Sequence, residues 1–409
     1  MKPTVSIVVL TRNAGPEFCQ LLERVTTQRD RRPEIVVVDS GSSDGTPDLA
    51  RRFGAKVIDI PAASFNHGQT RNLGIQHSQG EICVLLVQDA LPVDDQWLEN
   101  LTGHFHGDPL ICGVTTRQVP RSDADMVVRW EVLRHNNSLG GEVKIRSIAD
   151  WAAFERLPLQ DRFFMCNFDN VCSAVRRSTW ETHPFRSMPF AEDLDWAVRV
   201  LRAGHKIVYE PAAVVIHSHA RSGIYHLRRH YVSAKIVPVI LECPVPGVFA
   251  DNDDGMFRAV NVLIQEALSL FLVVGQEGSS ISHTEWHRRV NYVERAGLDH
   301  ANGTPRLAHL AQRCVHKLLS WLPLSKRFKS VTKWSTDRRN PMRAHFFFLL
   351  SEIVQDAPDL DAATVRHLIV HSLARSIGHF LGGYYLWSDR LSRVSPGLGD
   401  LDRFLCLGV

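Results

Sequence analysis

One short stretch of this chain decides its fold: Val36-Val37-Val38-Asp39-Ser40-Gly41-Ser42-Ser43-Asp44-Gly45-Thr46-Pro47. It opens on three β-branched apolar residues, which is typical of a buried parallel strand. The Ser/Gly-rich part predicts a turn into a helix, with Thr46 as N-cap and Pro47 as first helical residue. Capping does not explain Asp39 at the strand end, where a carboxylate can accept hydrogen bonds from a base or ribose.

The same arrangement recurs on both sides of this stretch. Apolar runs predict strands at 5–10, 34–38, 56–60 and 82–87, and amphipathic patterns predict helices at 16–28 and 47–53. Such βαβ alternation predicts an α/β domain that binds its ligand at the carboxyl ends of the strands. Polar side chains follow these strands at Thr11, Arg12, Asn13, Asp39, Gln88 and Asp89.

Composition narrows the class of protein. The chain has 409 residues, of which 44% are hydrophobic and 22% charged, and this is enough for two globular domains. A net charge of +3 gives no reason to expect nucleic acid as a partner. The first residues lack a signal-peptide pattern and the eight cysteines show no C-x-x-C pair. The sequence therefore predicts a cytosolic protein with buried thiols and no disulfides.

Past residue 231 the strand pattern stops and helical periodicity takes over. We therefore predict an α/β domain over 1–235 and a helical domain over 236–409. The acidic stretch 251–255 looks like the start of a calcium loop, but Val262 stands where the bidentate Glu would be, which favours a solvated turn.

The apolar runs in this half, 260–275 and 367–387, are interrupted by polar residues and predict no membrane-spanning helix. Basic and aromatic residues accumulate over 306–343. This segment predicts either peripheral contact with an anionic membrane surface or a solvated basic face that packs its apolar side on the first domain.

Four motifs in order resemble those of the bacterial family 2 glycosyltransferases. They occupy residues 36–46, 65–74, 88–92 and 191–196. The second and third, with Arg-Gln-Val-Pro-Arg at 117–121, are similar to the rhamnosyltransferase branch. The resemblance covers roughly residues 1–235. It implies a GT-A fold, with a Rossmann-like, mostly parallel sheet, followed by a helical C-terminal domain.

The resemblance also implies a nucleotide-diphosphate sugar as the donor. The residues that it assigns to donor binding are Thr11, Arg12, Asn13, Asp39, Ser42, Arg71, Asn72 and Gln88. Arg71 suits the diphosphate, because a guanidinium can donate paired hydrogen bonds to phosphate.

A divalent cation, Mg²⁺ or Mn²⁺, is implied as well, because it can neutralise the departing diphosphate. The family's Asp-x-Asp motif is reduced here to Val87-Gln88-Asp89, so Asp89 is the candidate carboxylate ligand. His217 is a second candidate. We do not expect His219 to join it, because alternate residues at a strand end face opposite ways.

For the acceptor side, the resemblance implies Asp193 as the general base, with Glu192, Trp196 and Asn170 at the acceptor. Acidic residues at a helix start are also common for electrostatic reasons, and Asn170 also fits a plain turn. The motif decides in favour of the catalytic interpretation for Asp193.

The implied reaction is inverting, non-processive transfer of one sugar, with dTDP-rhamnose as first choice. Non-processivity is expected because the Q-x-x-R-W motif of polymerising synthases is absent. The implied acceptor is a saccharide or lipid-linked saccharide in cell-surface polysaccharide synthesis, reached in the cytoplasm at the inner membrane face. Another UDP, GDP or dTDP sugar, or a catalytically inactive nucleotide-sugar-binding protein, remain alternatives. The sequence predicts no oligomeric state.

Overall fold

The structure, a computed structural model, describes residues 4–29, 32–244, 248–274, 281–296, 340–354 and 359–407. The chain separates into two compact units. The first is Met1–His219 with Val239–Cys243, and the second is Ala220–Pro238 with Pro244–Val409. The predicted domain boundary at 235 falls inside a helix, Gly223–Ile240. The basic segment 306–343 lies outside the described residues except for its last four.

In the described residues of the first unit, nine strands form one central sheet. The strands are β1 Val5–Thr11, β2 Glu34–Asp39, β3 Lys56–Asp59, β4 Ile82–Val87, β5 Leu91–Pro92, β6 Ile111–Val119, β7 Lys144–Arg146, β8 Cys172–Arg176 and β9 Lys206–Ile216. Their order is β3-β2-β1-β4-β8-β6-β9-β5, and β7 pairs with β9. The four strands that we predicted are confirmed to within one residue at each end.

Strand direction changes in the middle of this sheet. Strands β1 to β4 are parallel, as predicted. Strand β8 runs antiparallel to both β4 and β6, while β6 and β9 are parallel to each other. The sheet is therefore mixed rather than mostly parallel. Because β8 is reversed, its amino end lies beside the carboxyl ends of β4 and β6.

Helices cover the sheet of the first unit. They are α1 Glu17–Thr26, α2 Thr46–Arg52, α3 His67–Gln76, α4 Trp97–Thr102, α5 Met126–Leu139, α6 Trp151–Phe154, α7 Leu159–Cys166, α8 Arg177–Thr182 and α9 Glu192–Arg202. The core forms where Phe18 and Leu22 of α1 pack with fully buried strand residues such as Ile7, Val37 and Val84. Burying these side chains supplies most of the stabilising free energy of such a unit.

The start of α2 differs from the prediction. Gly45, not Thr46, is the N-cap, because its φ of 82° is a left-handed conformation that glycine adopts without strain. Thr46 is the first helical residue, and its hydroxyl donates to Asp44 Oδ1 at 2.6 Å and accepts from the Ala14 amide at 3.0 Å. The threonine therefore ties the helix start to the loop after β1.

Helix α3 lies unusually close to its neighbours. A Cβ on Gly74 would stand 2.3 Å from Val8 Cγ1, and one on Gly68 would stand 2.2 Å from the Arg186 carbonyl oxygen. Asn66 caps the helix, since its Oδ1 accepts from the Gln69 amide at 3.2 Å. Close packing therefore requires glycine at positions 68 and 74 of the 65–74 motif, whatever part the motif plays in binding.

The second unit is helical in its described part, as predicted. Its helices are α10 Gly223–Ile240 as far as Pro238, α11 Asp253–Val274, α12 His283–Ala296, α13 Pro341–Glu352, α14 Ala362–Arg390 and α15 Pro396–Leu405. Two short strands, β10 Ile281–Ser282 and β11 Asp359–Leu360, pair antiparallel. Among the described helices none is long and apolar enough to span a bilayer.

Two further expectations, for the acidic stretch 251–255 and for the cysteines, can be compared with the structure. The acidic stretch 251–255 begins α11, where Asn252 Oδ1 accepts from the Gly255 amide at 2.9 Å and Asp253 accepts from the Tyr384 hydroxyl at 2.8 Å. The seven cysteines in the described part are free thiols, and five of them are buried as predicted, whereas Cys19 is half-buried and Cys406 is exposed.

Candidate active site

Five segments of the first unit meet at one edge of the sheet. Residues 11–13, 39–46, 88–89 and 217–219 stand at or just after the carboxyl ends of β1, β2, β4 and β9. Residues 169–170 stand just before β8, and they reach the same edge because β8 is reversed. An edge of this kind is where open α/β sheets bind their ligands.

Asp39 is held firmly at this edge. The residue is 1% exposed, and its carboxylate accepts hydrogen bonds from the Thr11 hydroxyl at 2.8 Å and from the Ser42 amide and hydroxyl at 2.8 and 2.6 Å. A carboxylate can accept further bonds beyond these, but its orientation is already set.

The loop after β1 is bonded to its neighbours on both sides. The Asn13 amide donates to Ser42 Oγ at 2.7 Å, and Asn13 Oδ1 accepts from the Ser43 amide at 2.8 Å. On the other side, Gln88 Oε1 accepts from the Arg12 amide at 2.7 Å. Six of the eight predicted donor-binding residues therefore form one connected group: Thr11, Arg12, Asn13, Asp39, Ser42 and Gln88.

Asp89, His217 and His219 form a cluster of potential metal ligands. Their ligand atoms all lie within 4.8 Å of one another. Asp89 Oδ2 stands 3.0 Å from His219 Nε2, Asp89 Oδ1 stands 3.8 Å from His217 Nε2, and the two Nε2 atoms are 3.1 Å apart. One carboxylate with two imidazoles suits a divalent transition-metal ion better than Mg²⁺, which prefers oxygen ligands.

The expectation that His219 faces away from His217 is wrong. Strand β9 ends at Ile216, so the two-residue alternation of a strand does not extend to these histidines. Beyond the strand, the chain brings both rings together, with their centroids 4.7 Å apart.

Asp193 lies in the first turn of α9, partly exposed. Its Oδ2 accepts from the backbone N–H of Asn170 at 3.3 Å, and its Oδ1 accepts from the backbone N–H of Leu194 at 2.8 Å. Burial, followed by the charges of Glu192 and Asp169, raises the pKa of Asp193 to about 7, against the opposing charge of Arg71. A carboxyl that titrates near neutrality can act as a general base.

Arg71 and Glu192 form a buried ion pair beside it. The two residues are 5% and 6% exposed, and the Arg71 guanidinium donates to Glu192 Oε1 and, at 3.3 Å, to the Asn170 carbonyl oxygen. The neighbouring Asn72 side chain donates to the Phe185 carbonyl at 2.8 Å and accepts from Trp180 Nε1 at 2.8 Å. In this state both motif residues join α3 to neighbouring segments, and their contact with a diphosphate stays a prediction.

The predicted acceptor residues are mostly buried. Trp196 is 0% exposed, donates to the His183 carbonyl at 2.8 Å, and packs against Phe168 and Phe185. It therefore offers no ring surface to an acceptor in this state. Asn170 is 1% exposed and its Oδ1 accepts from Ser173 Oγ at 2.8 Å, while its Nδ2 finds no partner among the described residues. Such a buried donor next to Asp193 needs an explanation, and an incoming ligand is one.

Two residues of this site were missed by the sequence analysis. Gln118, at the end of β6, donates from Nε2 to Asp169 Oδ2 at 2.6 Å, and its Oε1 lies 3.0 Å from His217 Nδ1. Asp169 in turn lies close enough to raise the pKa of Asp193. A polar chain therefore leads from the Asp89 cluster to Asp193. The 117–121 motif had pointed to Gln118 without assigning it a role.

The chain is similar in sequence to known glycosyltransferases. A family model described as Glycosyl transferase family 2 matches residues 6–155. The chain is 31% identical over 232 residues to the O-antigen chain rhamnosyltransferase RfbN of Salmonella typhimurium, a match that covers 56% of this chain and 70% of the relative. With the O-antigen chain rhamnosyltransferase WbaN of Salmonella anatum it shares 29% identity over 268 residues, covering 64% and 75%.

Among solved structures, the chain is similar to the mannosyltransferase PcManGT from Pyrobaculum calidifontis, with a TM-score of 0.45, 17% identity and 87% coverage of each chain.

Proposed function

Since this chain belongs to glycosyl transferase family 2 and is a glycosyltransferase, we propose that it transfers a single sugar with inversion from a nucleotide diphosphate to an acceptor hydroxyl. One observation carries the proposal. The Asp89 cluster and the Asp193 carboxyl belong to one site, joined through Gln118 and Asp169. Inverting transfer needs two such centres, one for the leaving group and one for the attacking hydroxyl.

The donor side comprises the connected group around Asp39 and the Asp89 cluster. Thr11, Arg12, Asn13, Asp39, Ser42 and Gln88 bind the nucleotide in this proposal, with Arg71 and Asn72 toward the diphosphate. Asp89, His217 and His219 would hold Mn²⁺ or Mg²⁺. The bound cation would neutralise charge on the departing nucleotide diphosphate.

The acceptor side comprises Asp193, Glu192 and Asn170. As the acceptor oxygen bonds to the anomeric carbon, the bond from that carbon to the diphosphate oxygen breaks, and the acceptor proton passes to the Asp193 carboxylate. The partly exposed position of Asp193 and its pKa near 7 support this role. Asn170 Nδ2 is buried and has no partner among the described residues, and in this proposal it donates to a sugar hydroxyl once the acceptor is bound.

Rhamnose from dTDP-rhamnose is our choice of donated sugar. Its support is the similarity to two proteins named as O-antigen chain rhamnosyltransferases. The same names support an acceptor in polysaccharide synthesis. We propose that this acceptor is a saccharide or lipid-linked saccharide, reached in the cytoplasm at the inner face of the membrane.

Isothermal titration with dTDP-rhamnose, UDP-glucose and GDP-mannose, each with and without Mn²⁺, tests the donor side. We expect dTDP-rhamnose to bind and Mn²⁺ to strengthen its binding. Tighter binding of another sugar nucleotide would overturn the choice of rhamnose. If none of the three bound, the donor site itself would be disproved.

The acceptor side is tested by the Asp193→Asn variant. We expect the transfer rate to fall by about 10²–10⁴-fold while donor binding stays unchanged, because the amide cannot take the acceptor proton. Asp123→Asn, at an exposed position of the same unit, serves as the matched control and should transfer normally. Near-normal turnover in Asp193→Asn would remove Asp193 as the base.

A further inference from the structure

Gln118 joins the two centres of the proposed site, but the proposed function gives its two side-chain contacts no part in preparing the metal ligands. We propose that Gln118 is a positioning residue that fixes His217 in the tautomer required for metal binding and ties this ring to Asp169. The inference rests on the proposed metal-holding role of Asp89, His217 and His219. It concerns how the protein prepares that cluster, which the motif resemblance does not address.

The orientation of the Gln118 amide follows from its partners. The Gln118 nitrogen stands 2.6 Å from Asp169 Oδ2. An ionised carboxylate only accepts hydrogen bonds, so the NH₂ end of the amide has to face it. The oxygen end is therefore the one that faces His217 Nδ1, at 3.0 Å. A flipped amide would set two acceptors against each other at the Asp169 end.

This orientation decides where the hydrogen on His217 sits. Because Gln118 Oε1 can only accept, His217 Nδ1 carries the hydrogen, and in the neutral ring Nε2 keeps its lone pair. That lone pair is on the nitrogen 3.8 Å from Asp89 Oδ1. The ring is thus prepared as a ligand, since a metal-binding imidazole commonly donates its other N–H to an oxygen.

In His219 the hydrogen lies on the nitrogen that faces the other two ligands. Its Nε2 stands 3.1 Å from His217 Nε2 and 3.0 Å from Asp89 Oδ2. With both of these atoms as acceptors, His219 Nε2 carries a hydrogen in this state. Binding a cation through that nitrogen requires His219 to change tautomer, whereas His217 requires no change.

Gln118 itself is held rigidly. Its backbone amide donates at 2.9 Å to Oδ1 of the buried Asn136, and it pairs in register with Val215 of β9. One residue on, the Val119 carbonyl accepts from the His217 amide at 2.9 Å. The glutamine and the histidine are therefore fixed to each other by backbone as well as by side chain, which is what a positioning contact needs.

The opposite end of the contact is equally fixed. Asp169 Oδ1 accepts from the Val171 amide at 2.8 Å, at the start of β8. The next residue, Asn170, donates its backbone amide to Asp193. Gln118 is thus the single side chain, among the contacts described above, that joins the Asp89 cluster to the segment whose Asn170 contacts Asp193.

Mn²⁺ binding to the full-length chain, followed by electron paramagnetic resonance of free Mn²⁺, tests the inference without relying on activity. Gln118→Leu and Gln118→Met remove both hydrogen bonds with little change in volume, and we expect about 10–100-fold weaker Mn²⁺ binding in each. The double variant Gln118→Glu/Asp169→Asn keeps an acceptor toward His217 Nδ1 and replaces the carboxylate at position 169 with an amide that can donate to the new carboxylate. It should therefore bind Mn²⁺ nearly as well as wild type. Gln79→Leu, at an exposed position outside the site, is the matched control.

A second readout is the tautomer itself. Nitrogen-15 spectra of histidine-labelled, metal-free protein should show His217 with its hydrogen on Nδ1 in wild type and a mixture of tautomers in Gln118→Leu, with His217→Gln used to assign the signal. Wild type that fails to bind Mn²⁺ would remove the proposed metal site and this inference with it. Normal wild-type binding with unchanged binding in the Leu and Met variants would overturn the inference alone.

Discussion

Among single residues, Asp193 is the one whose surroundings bear most directly on activity. Burial and two neighbouring acids raise its pKa to about 7. A general base works only when ionised, so kcat/KM should rise with pH as Asp193 loses its proton. The acids around it therefore set the lower end of the active pH range.

Asp169→Asn should move that lower end to more acidic pH. The substitution removes a negative charge that raises the pKa of Asp193, yet it keeps an oxygen to accept from Gln118. With a lower pKa, Asp193 is ionised at lower pH. A pH profile of kcat/KM for wild type, Asp169→Asn and the exposed control Asp123→Asn measures the effect. An acidic limb that stays in place would show that Asp169 does not influence the base.

The buried pair Arg71–Glu192 should dominate local stability. Glu192→Ala leaves the guanidinium buried without its partner, which typically costs about 3–5 kcal/mol in the free energy of unfolding. The double variant Arg71→Met/Glu192→Leu removes both charges and should recover most of that loss. Urea unfolding measures both.

Arg51→Ala is the matched control for this pair. It breaks two exposed pairs, with Asp48 and with Asp59, and exposed pairs of this kind contribute little, so it should cost less than about 1 kcal/mol. Equal losses in Glu192→Ala and in the control would contradict the buried-pair argument.

At the scale of elements, α3 depends on a glycine. A Cβ at Gly74 would meet Val8 Cγ1 at 2.3 Å, so Gly74→Ala forces the helix away from β1. We expect a loss of about 1–3 kcal/mol in unfolding free energy, as for other overpacked core positions.

Gly103→Ala serves as its control, because no atom lies within 4 Å of the Cβ that it would add. Calorimetric melting of both variants compares them. A Gly74→Ala protein as stable as the control would mean that α3 shifts without cost.

The elements also show what the sequence could predict. Strands β1, β2 and β4 are nearly continuous apolar runs, and such runs identify buried strands from local pattern alone. Strand β3 was located correctly, but it lies at the edge of the sheet and is partly exposed rather than buried. The cap of α2 was assigned one residue late, because the left-handed backbone at Gly45 leaves no distinct signal beside a threonine that is a good cap. His219 was dismissed because the end of β9 could not be located to within two residues.

For the molecule as a whole, one arginine holds a distant segment of chain on the first unit. The buried side chain of Arg162 donates to the carbonyl oxygens of Leu157, Leu241 and Glu242 at 3.0, 2.9 and 2.9 Å, and also to that of Glu155. Segment Val239–Cys243 thereby belongs to the first unit although the chain has left it at His219.

Arg162→Met should release this segment. We expect the unfolding free energy to drop by more than about 2 kcal/mol, since several charge-assisted hydrogen bonds are lost together. Limited proteolysis should also cut faster near 239–243. Arg156→Met, at an exposed position of the same region, is the control. Unchanged cleavage in Arg162→Met would show that other contacts hold the segment.

The link between the two halves of the site could not be predicted from the sequence. It depends on β8 running against its neighbours, and a five-residue strand carries no local signal of its direction. A sequence that does not reveal the direction of β8 gives no reason to expect Asp169 near Gln118 or near Asp193. The strand-end residues Asp39 and Asp89 needed only the parallel βαβ pattern, so they were found.

The wide spacing of the site segments along the chain has a consequence for how the protein folds during synthesis. The segments that form the site lie between residues 11 and 219, so a nascent chain shorter than 219 residues lacks part of the site. The ribosome delivers the chain from its amino end. The Asp39 pocket can therefore assemble early, but the histidines that complete the site emerge only after more than half of the protein has been made.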